Sequence, residues 1–165
     1  MQAHFAMMAQ YNGWANARLY RMAGALSDEL YRRNVGAYFK SMHGTLNHLL
    51  TADRIWMRRL TGTGDHAEAL DAITCDDLAS LAVARRQEDE RIIRYVAGLA
   101  DSSFERMLDY RTLSGTPQTQ KRGEILAHLF NHQTHHRGQA HGILTILGVD
   151  PQPLDLLIMQ REQVA

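Results

Sequence analysis

Residues 124–139 read Glu-Ile-Leu-Ala-His-Leu-Phe-Asn-His-Gln-Thr-His-His-Arg-Gly-Gln. Followed at helical steps, Ile125, Leu129, His132, His136, Ala140, Ile143 and Leu147 form one stripe, with two imidazoles where leucines would be expected. His132 and His136 lie four apart and are therefore neighbours on one face. Burying two imidazoles costs a few kcal/mol unless each is satisfied. A shared cation satisfies both, at Zn–N distances of about 2.0–2.1 Å. The competing reading is a pair of core histidines, each hydrogen-bonded to a carbonyl.

A metal site needs a third ligand, and in a helical bundle it must project inward from a neighbouring helix. His43 and His48 are the candidates on the second long helix. They stand about 140° apart around the axis, so only one can point at a given site. His48 shares its face with Ala52 and Ile55, which favours it, but spacing alone leaves both open. His128 extends the His132 row and is the main rival ligand. His135, His141, His4 and His66 are expected to be structural or solvated.

The elements that must position these residues are helices. Only three prolines occur among 165 residues. A first helix is expected from about His4 to Leu26, with Ser27 and Asp28 opening a connection. The second runs from about Ser41 to Leu60 and stops at Gly62 and Gly64. A loop covers Thr61 to Ile73. Thr74 is the expected N-cap of a third helix reaching about Leu99. Arg85, Arg86, Glu88, Asp89, Glu90 and Arg91 are assigned to its solvated side. The pattern breaks over Phe104–Thr119, where Ser114-Gly115 signals a turn, so a short hairpin or extended excursion is expected. A fourth long helix follows from about Gly123 to Leu147, capped by Gly148. A short final helix spans about Leu154 to Gln163. The fold class is therefore all-α, an antiparallel up-down-up-down four-helix bundle in one domain, 1–165, with a short hairpin excursion before the fourth long helix.

Composition narrows the function. Hydrophobic residues make up 45% and charged residues 22%, ordinary values for a globular chain. Lys+Arg and Asp+Glu are both 18, so no basic excess exists to hold nucleic acid. No apolar run is long enough for a membrane span, and residues 1–5 do not resemble a signal peptide. A cytoplasmic setting fits, and the lone Cys75 can form neither an internal disulfide nor a thiolate metal site. A di-iron site would need paired Glu-x-x-His motifs, and Glu124 lies four residues before His128 instead of three. No c-type haem motif occurs. The methionines at helical spacing read as core filler. Cys75, placed at a helix start, reads as passive.

Three segments together resemble the DinB family of bacterial proteins, the DinB/YfiT-like metalloenzymes. Tyr11, Trp14, Ala15, Asn16, Arg18 and Leu19 are similar to that family's opening Y-x-x-W-A-N-x-R-L. His48, Asp53 and Trp56, with Arg59 and Leu60, match its H-x4-D/E-x2-W element. Asn131 to Gln139 match H-x2-H-H-R-G-Q. The resemblance covers essentially the whole chain. It implies a metal at one end of the bundle core, with His48, His132 and His136 as ligands. It also implies nickel or zinc as the ion and a homodimeric assembly. Relatives in the wider superfamily act on small molecules with low-molecular-weight thiols.

Three histidines leave a coordination position open, as in catalytic sites. The expected activity is a metal-dependent transferase or hydrolase, in which a bound water or thiol becomes the nucleophile. The alternative is a non-catalytic metal-binding or stress-response protein whose metal stabilises the bundle or the dimer. Arg137 and Gln139 are read either as groups that orient imidazoles or substrate, or as ordinary helix-packing residues. Asp53 is expected to be a structural polar group paired with Asn16 or Arg18.

Overall fold

The computed structural model describes residues 1–164. It is mostly helical, with one two-stranded sheet. The long helices are α1 (Gln2–Ala23), α3 (Met42–Thr61), α4 (Leu78–Ala97) and α5 (Arg122–Ile146). Shorter elements are α2 (Asp28–Arg32), a 3-10 turn (Asp101–Glu105), strands β1 (Met107–Arg111) and β2 (Pro117–Lys121), and α6 (Leu156–Glu162). The expected hairpin is present as antiparallel β1 and β2, with Asp109 opposite Thr119.

Local chemistry explains the helix ends. Ser41 Oγ accepts the Gly44 N–H at 3.1 Å to start α3, and Gly62 at φ 74° stops it in the left-handed region that glycine tolerates. Asp77, rather than Thr74, caps α4 by accepting the Ser80 N–H at 2.8 Å. Thr74 is instead drawn off by Asn47 Oδ1, which accepts its N–H at 2.9 Å. The short α2, absent from the sequence reading, is capped by Ser27.

The long helices pack α1 on α4 and α5, and α3 on α4 and α5. Their directions differ from the expected alternation. Asp53 meets Arg85 and Leu60 meets Tyr95, so α3 and α4 run in the same sense. Asn12 pairs with Arg137 while Phe5 stacks near Phe130, so α1 and α5 also run together. His48 lies beside His132 and Trp56 beside His128, which makes α3 and α5 antiparallel. The order is therefore up-down-down-up. Residues 62–77 must travel back along α3, and they do: Leu70 reaches His48 and Cys75 reaches Asn47.

Two apolar clusters fill the interior. One gathers Leu19, Leu46, Leu50, Leu81 and Leu144; the other gathers Phe5, Leu60, Ile92, Phe104 and Phe130. Between them in sequence, every long helix contributes buried polar residues: Asn12 and Asn16, Asp53, Arg85 and Asp89, Gln133 and Arg137. Arg85 approaches Asp53 at 2.9 Å and Asp89 at 3.1 Å, at ion-pair distance but without linear hydrogen bonds. Asn12 and Asn16 amides donate to Asp89 at 3.1 and 2.9 Å. Arg85, Glu88 and Asp89 thus leave the solvated side to which their charge had assigned them. Leu81, Arg85, Glu88, Ile92 and Val96 fall on one inward stripe, all buried.

Candidate metal centre

His48 comes from the first half of α3 and is buried; His132 and His136 come from the middle of α5 and are half-buried. One nitrogen from each lies within 4.8 Å of the other two, so the three could hold a metal ion. The rings stand 4.3–5.1 Å apart between centroids. His48 Nε2 and His132 Nε2 are 3.3 Å apart. Two nitrogens bound to one tetrahedral zinc stand about 3.3–3.4 Å apart, so this spacing fits a shared ion. The site lies between the first half of α3 and the middle of α5.

Surrounding groups set the imidazole tautomers. His48 Nδ1–H donates to the Leu70 carbonyl at 2.8 Å, leaving Nε2 with its lone pair. His136 Nδ1–H donates to Gln139 Oε1 at 2.7 Å, with the same result. The Gln139 amide in turn donates to His135 Nε2 at 3.1 Å. Outer partners of this kind orient metal-binding histidines. Phe39 stacks on the His48 ring, 3.8 Å between centroids and tilted 16°. Gly44 makes that stack possible, because a Cβ there would stand 2.1 Å from the Phe39 carbonyl oxygen. Gln133, next to His132, donates to the carbonyl of Leu49, next to His48, at 3.0 Å. It ties the two histidine-bearing helices together beside the cluster.

Burial pushes the His48 imidazolium down to about 4, against the opposing pull of the Leu70 carbonyl. Burial, then the neighbouring imidazoles, push His132 to about 3. Burial also lowers His136, with Gln139 opposing. At neutral pH all three are uncharged, the form that ligates.

The other histidines go elsewhere. His43 donates from Nε2 to the Cys75 carbonyl at 3.1 Å. His128 is exposed, with its ring against Trp56, and stays outside the cluster. His135 sits edge-on to His136, His141 bonds the Gln152 carbonyl, and His66 bonds the Ala67 carbonyl. His4 lies edge-on to Phe5. Arg137 turns toward α1, where it donates to Asn12 and lies over the Tyr11 ring, so it does not orient the imidazoles. Gln139 does. Asp53 pairs with Arg85, not with Asn16 or Arg18; Arg18 binds Glu162 instead. Cys75 precedes α4 by three residues, and its N–H goes to Asn47. Leu70 and Phe39 carry no sequence signal, because a loop carbonyl and a loop aromatic have no periodicity. Gln133 and Arg85 do carry one, as polar residues at inward helical positions.

The frame is a mostly helical one in which three histidines from α3 and α5 converge and could hold a metal ion. The DinB family matches residues 1–163, and the chain belongs to that family. It is 26% identical over 154 residues to Protein DinB of Bacillus subtilis, covering 88% of this chain and 87% of that protein. The fold is similar to the crystal structure of a DinB-like protein from Bacillus cereus, with a TM-score of 0.68 and 17% identity. That match covers 88% of this chain and 94% of the other.

Proposed function

We propose that this DinB-family protein holds one divalent ion, nickel or zinc, on Nε2 of His48, His132 and His136. In this reading it is a metal-dependent transferase or hydrolase acting on a small molecule, with a low-molecular-weight thiol as cosubstrate. The frame is read as one four-helix-bundle domain, working in the cytoplasm as a homodimer. Among the described residues, no helix is long and apolar enough to cross a membrane. The observation that carries the metal reading is the pair of occupied Nδ1 atoms. Leu70 and Gln139 leave His48 and His136 each with a free Nε2, that of His48 3.3 Å from the Nε2 of His132.

The donor set fits such an ion. Neutral imidazoles suit nickel and zinc alike. Three nitrogens are one fewer than a closed structural zinc site uses, so a position is left for substrate. A divalent ion supplies Lewis acidity there, lowering the pKa of a water or thiol. The protein's own groups hold the imidazoles in register and, through Phe39, shield one face of His48 from water. The cluster contains no carboxylate to act as a base.

Elemental analysis tests the reading. The untagged wild type, after incubation with nickel or zinc, is expected to hold one ion per chain. A folded His132→Ala/His136→Ala variant is expected to lose it. A cobalt-substituted wild type titrated with small thiols should then show thiolate-to-metal charge transfer. An ion that raises the melting temperature while no thiol or electrophile binds would favour the non-catalytic, stabilising role. Absence of metal in both proteins would remove the reading.

A further inference from the structure

We propose that a second cleft, where the hairpin meets the end of α3, binds the anionic part of a small molecule through Arg58, Arg59 and Arg111. The cleft has a volume of about 620 Å³ and is also lined by Tyr110, Glu68 and Asp109. Small-molecule sites fall at roughly 300–1,000 Å³. Its three guanidiniums have no carboxylate partner among the described residues, whereas Arg18, Arg32, Arg33, Arg85, Arg91 and Arg94 each have one. Arg58 donates one N–H to the Gly64 carbonyl at 2.6 Å, and Arg111 donates one to the Gly115 carbonyl at 2.8 Å. These bonds position the side chains without neutralising them. Arg59 lies over the rings of Trp56 and Tyr110, at 4.4 and 4.9 Å. A guanidinium carries five donors in a planar fork, so most of this hydrogen-bonding capacity is left for a ligand. Of the two acids in the cleft, Asp109 already accepts the Thr119 hydroxyl at 2.5 Å. Glu68 is exposed on the returning segment, and the three arginines outnumber the two carboxylates.

Position gives the cleft its meaning. Arg59 lies eleven residues beyond His48, hence on the same face of α3 and about 16 Å along its axis. Ile55, between them, lines the cleft, and Trp56 touches His128, whose ring lies 5.8 Å from that of His132. Residues 62–77 join the two places, with Glu68 at the cleft and the Leu70 carbonyl on His48. A molecule anchored by carboxylates or phosphates at the arginines would extend along this face toward the histidines. That role beside a metal rests on the reading above; the binding itself does not.

The test titrates the metal-loaded wild type calorimetrically, at low ionic strength, with succinate and separately with inorganic phosphate. Saturable binding of at least one probe is expected. It should weaken about tenfold or more in Arg58→Gln/Arg111→Gln, as loss of charged hydrogen bonds requires. Both residues are exposed, so folding should be unaffected. Arg59→Gln, checked for an unchanged melting temperature, should act in the same direction. Binding of succinate alone would assign carboxylates, and of phosphate alone phosphates. The His132→Ala/His136→Ala variant should bind as wild type does. If that variant loses binding while the arginine variants keep it, the probe sits on the metal and the cleft proposal fails, with the metal reading intact. No saturable binding to folded wild type would also overturn it.

Discussion

Replacing Arg85 by Met should uncover how the buried polar layer is held together. Arg85 and Asp53 are 2% and 1% exposed, and their charged atoms stand 2.9 Å apart. Breaking a buried ion pair by removing one partner costs about 3–5 kcal/mol, because the remaining charge is stranded. The stranded group can escape by taking up a proton. Burial already raises the Asp53 carboxyl to about 6, with Arg85 the largest opposing influence, so losing Arg85 must raise it further. The sign follows from linkage. A carboxyl whose folded pKa exceeds its unfolded value stabilises the fold at low pH, and that stability is lost as pH rises through the folded pKa. In the wild type the loss is nearly complete by pH 7. In Arg85→Met it continues above pH 7, at up to about 1.4 kcal/mol per pH unit, until the further-raised carboxyl ionises. Asp89 keeps the Asn12 and Asn16 amides throughout. Urea denaturation at pH 5.5, 7 and 8 should therefore show a deficit that grows with pH. Adding Asp53→Leu should flatten it. A deficit under 1 kcal/mol, or one equal at all three pH values, would refute this account of the layer.

Three further outcomes are expected. Gln133→Leu should keep the helical circular dichroism and lower metal affinity about 10–100-fold, as loss of outer-shell support does; competition with a chromophoric chelator measures it, and unchanged affinity would count against the clamp between α3 and α5. Zinc at a hundred times its dissociation constant should stabilise the wild type by about 2.7 kcal/mol and His48→Ala hardly at all, as read by melting curves with and without metal. Gly44→Ala should destabilise the fold and move Phe39 off His48, since its Cβ would strike the Phe39 carbonyl; a spectrum of the His48 ring unchanged by the substitution would contradict the contact.

The histidine cluster was legible because periodicity exposes a polar residue on an apolar stripe. Applied to α4, the same test would have found Arg85 and Glu88, which share a stripe with Leu81, Ile92 and Val96. Charge density in the run from Arg85 to Arg91 hid it, since a dense charged run usually marks solvent. Most long-helix ends fell within a few residues of their sequence-read positions. The start of α4 did not, because Thr74 and Asp77 are both good caps and only the tertiary contact with Asn47 decides between them. Helix direction was not in the periodicity at all. It was in the connection: short links favour antiparallel neighbours, whereas residues 62–77 are long enough to return along a 20-residue helix, which spans about 30 Å.

That return path bears on the chemistry. With α3 and α4 antiparallel, a short turn would join them at the far end of α3, and nothing would lie over His48. With α3 and α4 running together, the chain must pass back across the face that carries His48. It then delivers the Leu70 carbonyl to Nδ1 at 2.8 Å and binds Asn47 on the way into α4. The carbonyl is a neutral acceptor on a backbone pinned at Asn47. It therefore fixes the imidazole tautomer without adding a negative charge to the site. Gln139 does the same for His136 from within α5. The three-histidine site is thus built by two different devices. One is helical spacing, which places His132, His136 and Gln139 on one face. The other is a crossover connection, which only the up-down-down-up order requires.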